Sequence, residues 1–309
     1  MRKLTVMLLV CFVILNQPLK AQYYYYNSKL FDNPVVFEIG ASVGVMNSLT
    51  DLGGKKGIGK KFIKDLRWKT AKPSYGIYLT ATYNDVIGFR LEGTFGQVIG
   101  YDSILKKVAA STYGRYERNL SFKSKISELQ LGFEIHPLFF KDYMDADIDP
   151  PRLSPYVIVG AGIYSFDPQA QLNGQWYSLQ PLHLEGQGFA EYPDRKTYQL
   201  TQINITAGGG IKYEINSIFN ARLEFVHRFL FTDYLDDVSN YDYVDPTLFY
   251  KYLTPNKAAI AQQLYNRTNE LKPGDLTYFN NIQRGDPKNK DSYFTIQLKV
   301  GLMLGRSKR

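Results

Sequence analysis

From Tyr293 to Leu304 the chain alternates apolar and polar residues with scarcely a break. Phe294, Ile296, Leu298, Val300, Leu302 and Leu304 fall on one face, and Thr295, Gln297, Lys299 and Gly301 on the other. Seven further segments carry the same pattern: Val35–Met46, Ser74–Tyr83, Gly88–Gly100, Ser121–His136, Pro155–Ser165, Ile203–Glu214 and Ala221–Phe231. Successive side chains of a strand point to opposite faces, so a period of two over about ten residues predicts a strand between unlike environments. Eight such segments, with Ser292–Leu304 the last, predict an all-β chain.

Alternation alone does not separate a membrane barrel from a soluble one. Three features of the sequence favour the membrane. Connections alternate in length: Asn84–Ile87 and Ile215–Phe219 are tight, whereas Asn47–Pro73, Phe166–Gln202 and Thr232–Asp291 are long. Short turns at one end and long loops at the other are the habit of outer-membrane barrels. Aromatic residues close to strand ends (Tyr75, Tyr83, Phe89, Tyr213, Phe231 and Phe294) lie on the apolar face, where interfacial girdles sit. The polar face mixes small and charged groups, which suits the narrow inside of eight strands. The expectation is an eight-stranded antiparallel up-and-down transmembrane barrel with long outer loops. An even strand number puts both termini in the periplasm. One short loop helix is predicted at Ala258–Leu271, stopped by Pro273-Gly274.

The first residues stand apart from this pattern. Arg2 and Lys3 precede the apolar run Leu4–Leu15, Pro18 follows, and Ala21 offers a cleavage site. This predicts a signal peptide over 1–21, then an N-terminal segment 22–34 and a barrel domain 35–309. Cys11 lies mid-run in the signal, so the mature chain is expected to carry no thiol. Its departure excludes disulfide frameworks and cysteine-based chemistry. Loss of Arg2, Lys3 and Lys20 takes the formal charge from +8 to +5, and Lys55, Lys56, Lys60, Lys61, Lys64, Arg67, Lys69 and Lys72 concentrate that excess in one loop. On an outer loop such a cluster serves attraction to lipopolysaccharide phosphates more simply than nucleic-acid stacking against Phe62 or Trp68.

Charges at lumen-facing positions are Glu38, Arg90, Glu92, Glu128, Glu134, Lys212, Glu214, Arg222, Glu224 and Lys299. They could form an ion path or an acid–base site. Buried charges in a narrow barrel survive by pairing, so the reading preferred is a set of structural ion pairs that makes a plug rather than a pore. The three histidines, His136, His183 and His227, fall at a strand end, in a loop and on an apolar face. They form no Ser/His/acid arrangement in sequence, and no Gly-x-Ser-x-Gly elbow occurs. Asp145, Asp147 and Asp149 have the opening spacing of a calcium loop, without Gly at its sixth position or Glu at its twelfth. No catalytic residue, metal or cofactor is therefore expected.

The most specific strings lie in the loops. Asp51-Leu52-Gly53-Gly54 follows the first strand, and Thr232-Asp233-Tyr234-Leu235-Asp236-Asp237-Val238-Ser239 follows the seventh. Between the fifth and sixth runs Glu185 to Arg195, with Gly186, Gly188, Phe189 and Pro193. In the first two strings the chain resembles a family of Bacteroidota outer-membrane barrels of unassigned function that includes the type IX secretion component PorG. The resemblance implies a secretion-associated or structural role, with other envelope proteins as partners; the residues themselves favour a protein that is not an enzyme and works through its rims and loops. Asp51, Leu52, Gly53, Gly54, Asp233, Tyr234, Asp236 and Asp237 are the candidate rim residues. A lipid-modifying barrel enzyme and a narrow pore are the alternatives. Because strands one, seven and eight are neighbours on closure, the two strings are expected to meet, with Asp51 hydrogen-bonding the 233–239 turn.

Overall fold

The computed structural model describes residues 34–52, 68–106, 112–141, 151–271, 273 and 283–305. Its strands are β1 (Val35–Leu49), β2 (Lys72–Tyr83), β3 (Ile87–Tyr101), β4 (Ser121–Ile135), β5 (Leu153–Leu172), β6 (Gln175–Ser178), β7 (Thr201–Glu214), β8 (Phe219–Leu230) and β9 (Ser292–Leu304). All pair antiparallel, in the order β4-β3-β2-β1-β9-β8-β7-β5, and β4 pairs with β5 to close the ring. The chain is a closed eight-stranded barrel. The short β6 lies outside the ring, where it folds back on the far end of β5 through Asn173 and Gly174, both at positive φ. That conformation selects a two-residue Asn-Gly hairpin.

One end of the barrel carries the first and last strand ends and the tight turns. Asn84 and Asp85, both at positive φ, turn β2 into β3. At the β7–β8 turn the Asn216 side-chain Oδ1 accepts hydrogen bonds from the amides of Ile218 and Phe219 (2.9 and 2.7 Å). The opposite end carries the long connections. We call the two the turn end and the loop end.

Alternation translates directly into inside and outside. Phe37, Ile39, Ile77, Leu79, Leu91, Leu129, Leu131, Val159, Ile163, Ile203, Leu223, Leu298 and Val300 stand exposed on the outer wall. So do Tyr75, Tyr83, Phe89, Tyr213 and Phe231, whereas Phe294 is covered (2% exposed) and lies against Phe225. Phe294 therefore cannot serve in a girdle. Polarity inverts towards the loop end. In β4 the outward residues change from Leu129, Leu131 and Phe133 to Lys123 and Lys125, while Phe122 and Ile126 point inward and are buried. In β5 the outward series passes from Val157, Val159 and Ile163 to Ser165, Asp167 and Gln169, with Phe166 and Ala170 inside.

The interior thus has two layers. Towards the turn end it is charged. Towards the loop end Met46, Val98, Phe122, Ile126, Tyr164, Phe166, Leu230 and Tyr293 make an apolar cluster, and Leu52, Leu120, Tyr198, Leu235 and Val238 from the connections descend into it. Above lies a second cluster built by residues 170–192 and 243–265, including Leu182, Leu184, Phe189, Phe249, Ala258, Ala261, Leu264 and Tyr265. It forms an ordered head on the barrel.

Helices differ from the sequence expectation. Among the described residues there are three α-helices: α1 (Tyr113–Arg118), α2 (Thr247–Tyr252) and α3 (Pro255–Leu264). α3 starts earlier than Ala258 because Pro255 occupies the first turn, where its missing N–H costs nothing. It ends at Leu264 rather than Leu271. There the Tyr265 carbonyl accepts from Arg284 Nη1 (2.7 Å), and the Asn266 side chain accepts from the Thr268 amide (3.0 Å) and starts a new turn.

Candidate functional site at the loop end

The charged layer sits below the site and supports it. Arg90, at the centre, pairs with Glu92 (3.2 Å), Glu224 (2.5 Å) and Glu134. Arg222 pairs with Glu134 (3.0 Å) and Glu38, and Lys299 with Glu92 (2.5 Å) and Glu224 (2.8 Å). The Tyr78 and Tyr156 hydroxyls donate to Glu38 and Glu224 (both 2.6 Å), and both rings flank the two guanidinium groups. Room for Tyr78 comes from Gly40, where an added Cβ would stand 2.5 Å from its hydroxyl oxygen. Lys212 pairs with Glu214 (3.4 Å) nearer the turn end. Higher up, Arg228 pairs with Glu128 (3.0 Å) and donates to Thr295 (2.5 Å). Arg228 was missed in the sequence although its place on β8 follows the same alternation as Arg222 and Glu224.

The loop strings do meet over the barrel mouth, through different atoms from those expected. The Asp51 carboxylate accepts from the Asp286 amide (2.6 Å), not from the 233–239 turn. The link to that turn comes from the next residue, whose backbone N–H (Leu52) donates to Asp236 Oδ2 (3.1 Å). Asp236 Oδ1 accepts from the Val238 amide (3.0 Å), and Asp291 Oδ2 from the Leu235 amide (2.9 Å). Asp237, at positive φ, accepts from the Tyr198 hydroxyl (2.6 Å). The Tyr234 ring stacks on Tyr198 at 4.7 Å, and its hydroxyl accepts from Asn240 (2.9 Å). Gly53 and Gly54 lie outside the described residues, as do the lysines from Lys55 to Lys64, Arg67, and Asp145, Asp147 and Asp149.

Two arginines tie this cap together, and neither stood out in the sequence. Arg118, at the end of α1, makes a two-toothed contact with Asp102 (2.8 and 2.9 Å). It also donates to the carbonyls of Asp51 (2.8 Å) and Arg284. Arg284 donates to Glu185 (3.0 Å) and to the carbonyls of Tyr265 (2.7 Å) and Asp237 (3.3 Å). Glu185 further accepts from the amides of Ser239 (3.0 Å) and Asn240 (2.9 Å) and from the Asn240 side chain (2.6 Å). Charge-assisted bonds of this kind are the stronger class. They knit the connections after β1, β3, β5 and β8 into one lid.

Acid groups under the lid are shifted in one direction. Burial pushes Asp51 up to about 6, Asp237 to about 7 and Asp233 to about 8, the last also raised by Asp51. Burial and neighbouring carboxylates raise Asp236 and Asp291 well above the ordinary value of 3.8. Neither carboxylate oxygen of Asp233 has a hydrogen-bond partner in good geometry among the described residues.

The histidines are far from one another. His136, at the turn end, contacts Glu134 (3.2 Å) and stacks on Tyr156; His183 packs by Phe189 in the head; His227 lies by Phe229 on the outer wall.

No protein-family model and no curated protein matches the sequence. Among solved structures the chain is similar to neisserial surface protein A: 10% identity, TM-score 0.38, covering 86% of this chain and 96% of that one. It is also similar to Ail of Yersinia pestis, crystallised with the heparin analogue sucrose octasulfate: 11% identity, TM-score 0.34, covering 87% and 97%. A third is OprG, an outer membrane protein of Pseudomonas aeruginosa: 9% identity, TM-score 0.35, covering 87% and 95%.

Proposed function

We propose that this chain is a non-enzymatic outer-membrane protein whose barrel is a sealed pedestal and whose capped loop end is an interaction surface. The observation that carries the reading is the continuous filling of the barrel. A paired charged layer, an apolar layer and a hydrogen-bonded lid follow one another along the axis, and a folded head stands above them. A conducting pore needs an open polar path, and an enzyme needs a reactive group open to substrate. The ordered atoms here are spent on holding loops in one shape.

The outer wall supports the membrane setting. Its exposed residues are apolar over a continuous belt, which hydrocarbon satisfies and water does not. No described helix is long and apolar enough to cross a membrane, so any crossing is by strands. The loop end then faces outward and both termini face the periplasm. Lipopolysaccharide is the lipid partner of this reading, with Lys123 and Lys125 outward just above the belt as cationic contacts. The likeness of the loop strings to the PorG-containing family favours a secretion-associated envelope assembly as the protein partner.

The test has two arms. Purified protein in planar bilayers should give no steady conductance. Photo-crosslinkers at Tyr241 and Tyr250, both exposed on the head, should trap one defined envelope protein in intact cells, while crosslinkers at the turn-end residue Ile218 should not. Stable ion-selective channels, or crosslinking no different at the two ends, would overturn the reading.

A further inference from the structure

The lid holds a group of buried carboxylates that the sealing role does not require. Asp51 from the β1 connection, Asp233 and Asp236 from the β8 connection and Asp291 from the approach to β9 meet at the barrel mouth, where the amide of Leu52, beside Asp51, bonds Asp236 and the amide of Leu235, beside Asp236, bonds Asp291. Asp233, Asp236 and Asp291 are buried, and the four charges oppose one another. Other charged or titratable groups facing them come from every neighbouring element. Asp102 and Arg118 come from the β3–β4 connection, Glu185 and Tyr198 from the β5–β7 connection, and Tyr164 from β5. Tyr234 and Asp237 share the segment 232–239, which plugs the barrel mouth, and Arg284, Asp286 and Lys290 precede β9. Of the cations, Arg118 spends its hydrogen bonds on Asp102 and two carbonyls, and Arg284 spends its own on Glu185 and two carbonyls. Neither donates to the four carboxylates. Two of these carboxylates are clamps on the plug: Asp236 holds the Leu52 and Val238 amides, and Asp291 holds the Leu235 amide. Leu235 and Val238 are the side chains seated in the apolar layer.

We propose that the Asp51–Asp233–Asp236–Asp291 cluster is a proton-operated latch on the plug segment 232–239. With protons on the cluster the buried carboxyl groups carry no charge and the plug stays seated. As they ionise, like charges gather in a buried site without a cation bonded to them, and the plug lifts from the mouth. This goes beyond the interaction reading and stands independently of it, because it needs no partner. The sign follows from linkage. These carboxyls keep their protons to a higher pH in the folded chain than the ordinary value of 3.8. Their contribution is therefore full below that value and is lost as pH rises through about 6 at Asp51 and about 8 at Asp233. The charged layer below, paired throughout, stays closed, so the latch reshapes the lid without opening a channel.

Hydrogen–deuterium exchange of the full mature protein, refolded in detergent micelles, tests the proposal. Protection is read at pH 5.5, 7 and 8.5 after correction for the intrinsic pH dependence of amide exchange. Amides of 232–239 and Leu52 should lose protection by about tenfold for each proton released per pH unit, while those of β1 to β9 stay constant. Asp233→Asn, which removes the charge and keeps an acceptor oxygen, should reduce this dependence, and Asp233→Asn with Asp291→Asn should nearly abolish it. Flat protection in the wild-type protein would overturn the latch. So would an undiminished pH dependence in Asp233→Asn, the variant least able to disturb folding.

Discussion

Replacing Arg222 by Met probes the supporting layer most directly. The side chain is fully buried and donates to Glu134 (3.0 Å) and to Glu38, with a weak contact to Asn220 (3.4 Å). Met keeps an unbranched aliphatic stem and removes the charged guanidinium that lies against the Tyr78 and Tyr156 rings. Four carboxylates (Glu38, Glu92, Glu134 and Glu224) would then face only Arg90 and Lys299 within the network. Breaking a buried ion pair from one side costs about 3–5 kcal/mol, because the abandoned partner stays desolvated. Glu38 retains the Tyr78 hydroxyl and Glu134 retains Arg90, so the lower figure applies. At about 1.4 kcal/mol per factor of ten, 3 kcal/mol is a loss of roughly a hundredfold in the folding equilibrium. Equilibrium unfolding in urea with the barrel in lipid vesicles measures it. Adding Glu38→Gln and Glu134→Gln to Arg222→Met should recover most of the loss, since no unpaired charge remains. A single variant within about 1 kcal/mol of wild type, or a triple variant no better than the single one, would refute the argument that pairing keeps these charges inside.

Three further outcomes follow from the cap and the head. Asp51→Ala and Asp237→Ala should affect stability non-additively, because both side chains serve the lid held by Arg118 and Arg284; strict additivity in a double-mutant cycle would separate them. Phe249→Ala should cost the head about 3–5 kcal/mol, seen as faster proteolysis within residues 243–271, with barrel unfolding unchanged. A cysteine placed at Tyr250, exposed on α2, should react with an impermeant maleimide on intact cells, while a C-terminal epitope should stay inaccessible; labelling of the C-terminus would invert the orientation.

Much of the barrel could be read from sequence because period-two alternation reports directly which side a residue faces. Glu38, Arg90, Glu92, Glu134, Lys212, Arg222, Glu224 and Lys299 all point inward for that reason. The lid was not readable in the same way. Its bonds join Leu52 to Asp236, 184 residues apart, and Glu185 to Arg284, 99 apart, and no local period encodes such pairs. Asp51 pointed to the right region, but the bond across to the turn is made by a backbone N–H, which no side-chain pattern marks. Phe294 kept its outward phase yet lost its exposure, because alternation says which way a ring points and not what covers it.

The change of phase within β5 works as a depth gauge. Outward residues are apolar from Leu153 to Ile163 and polar from Ser165 onward. At about 3.3 Å per residue and a tilt near 40°, the apolar stretch rises about 25 Å, the height of the lipid-facing band of such barrels. The remaining length to Leu172 adds about 23 Å beyond the hydrocarbon boundary. With the loop end outward as proposed, a docking molecule would meet the head above the acyl chains, at the level of the sugars that coat the cell, and would engage it without entering the lipid.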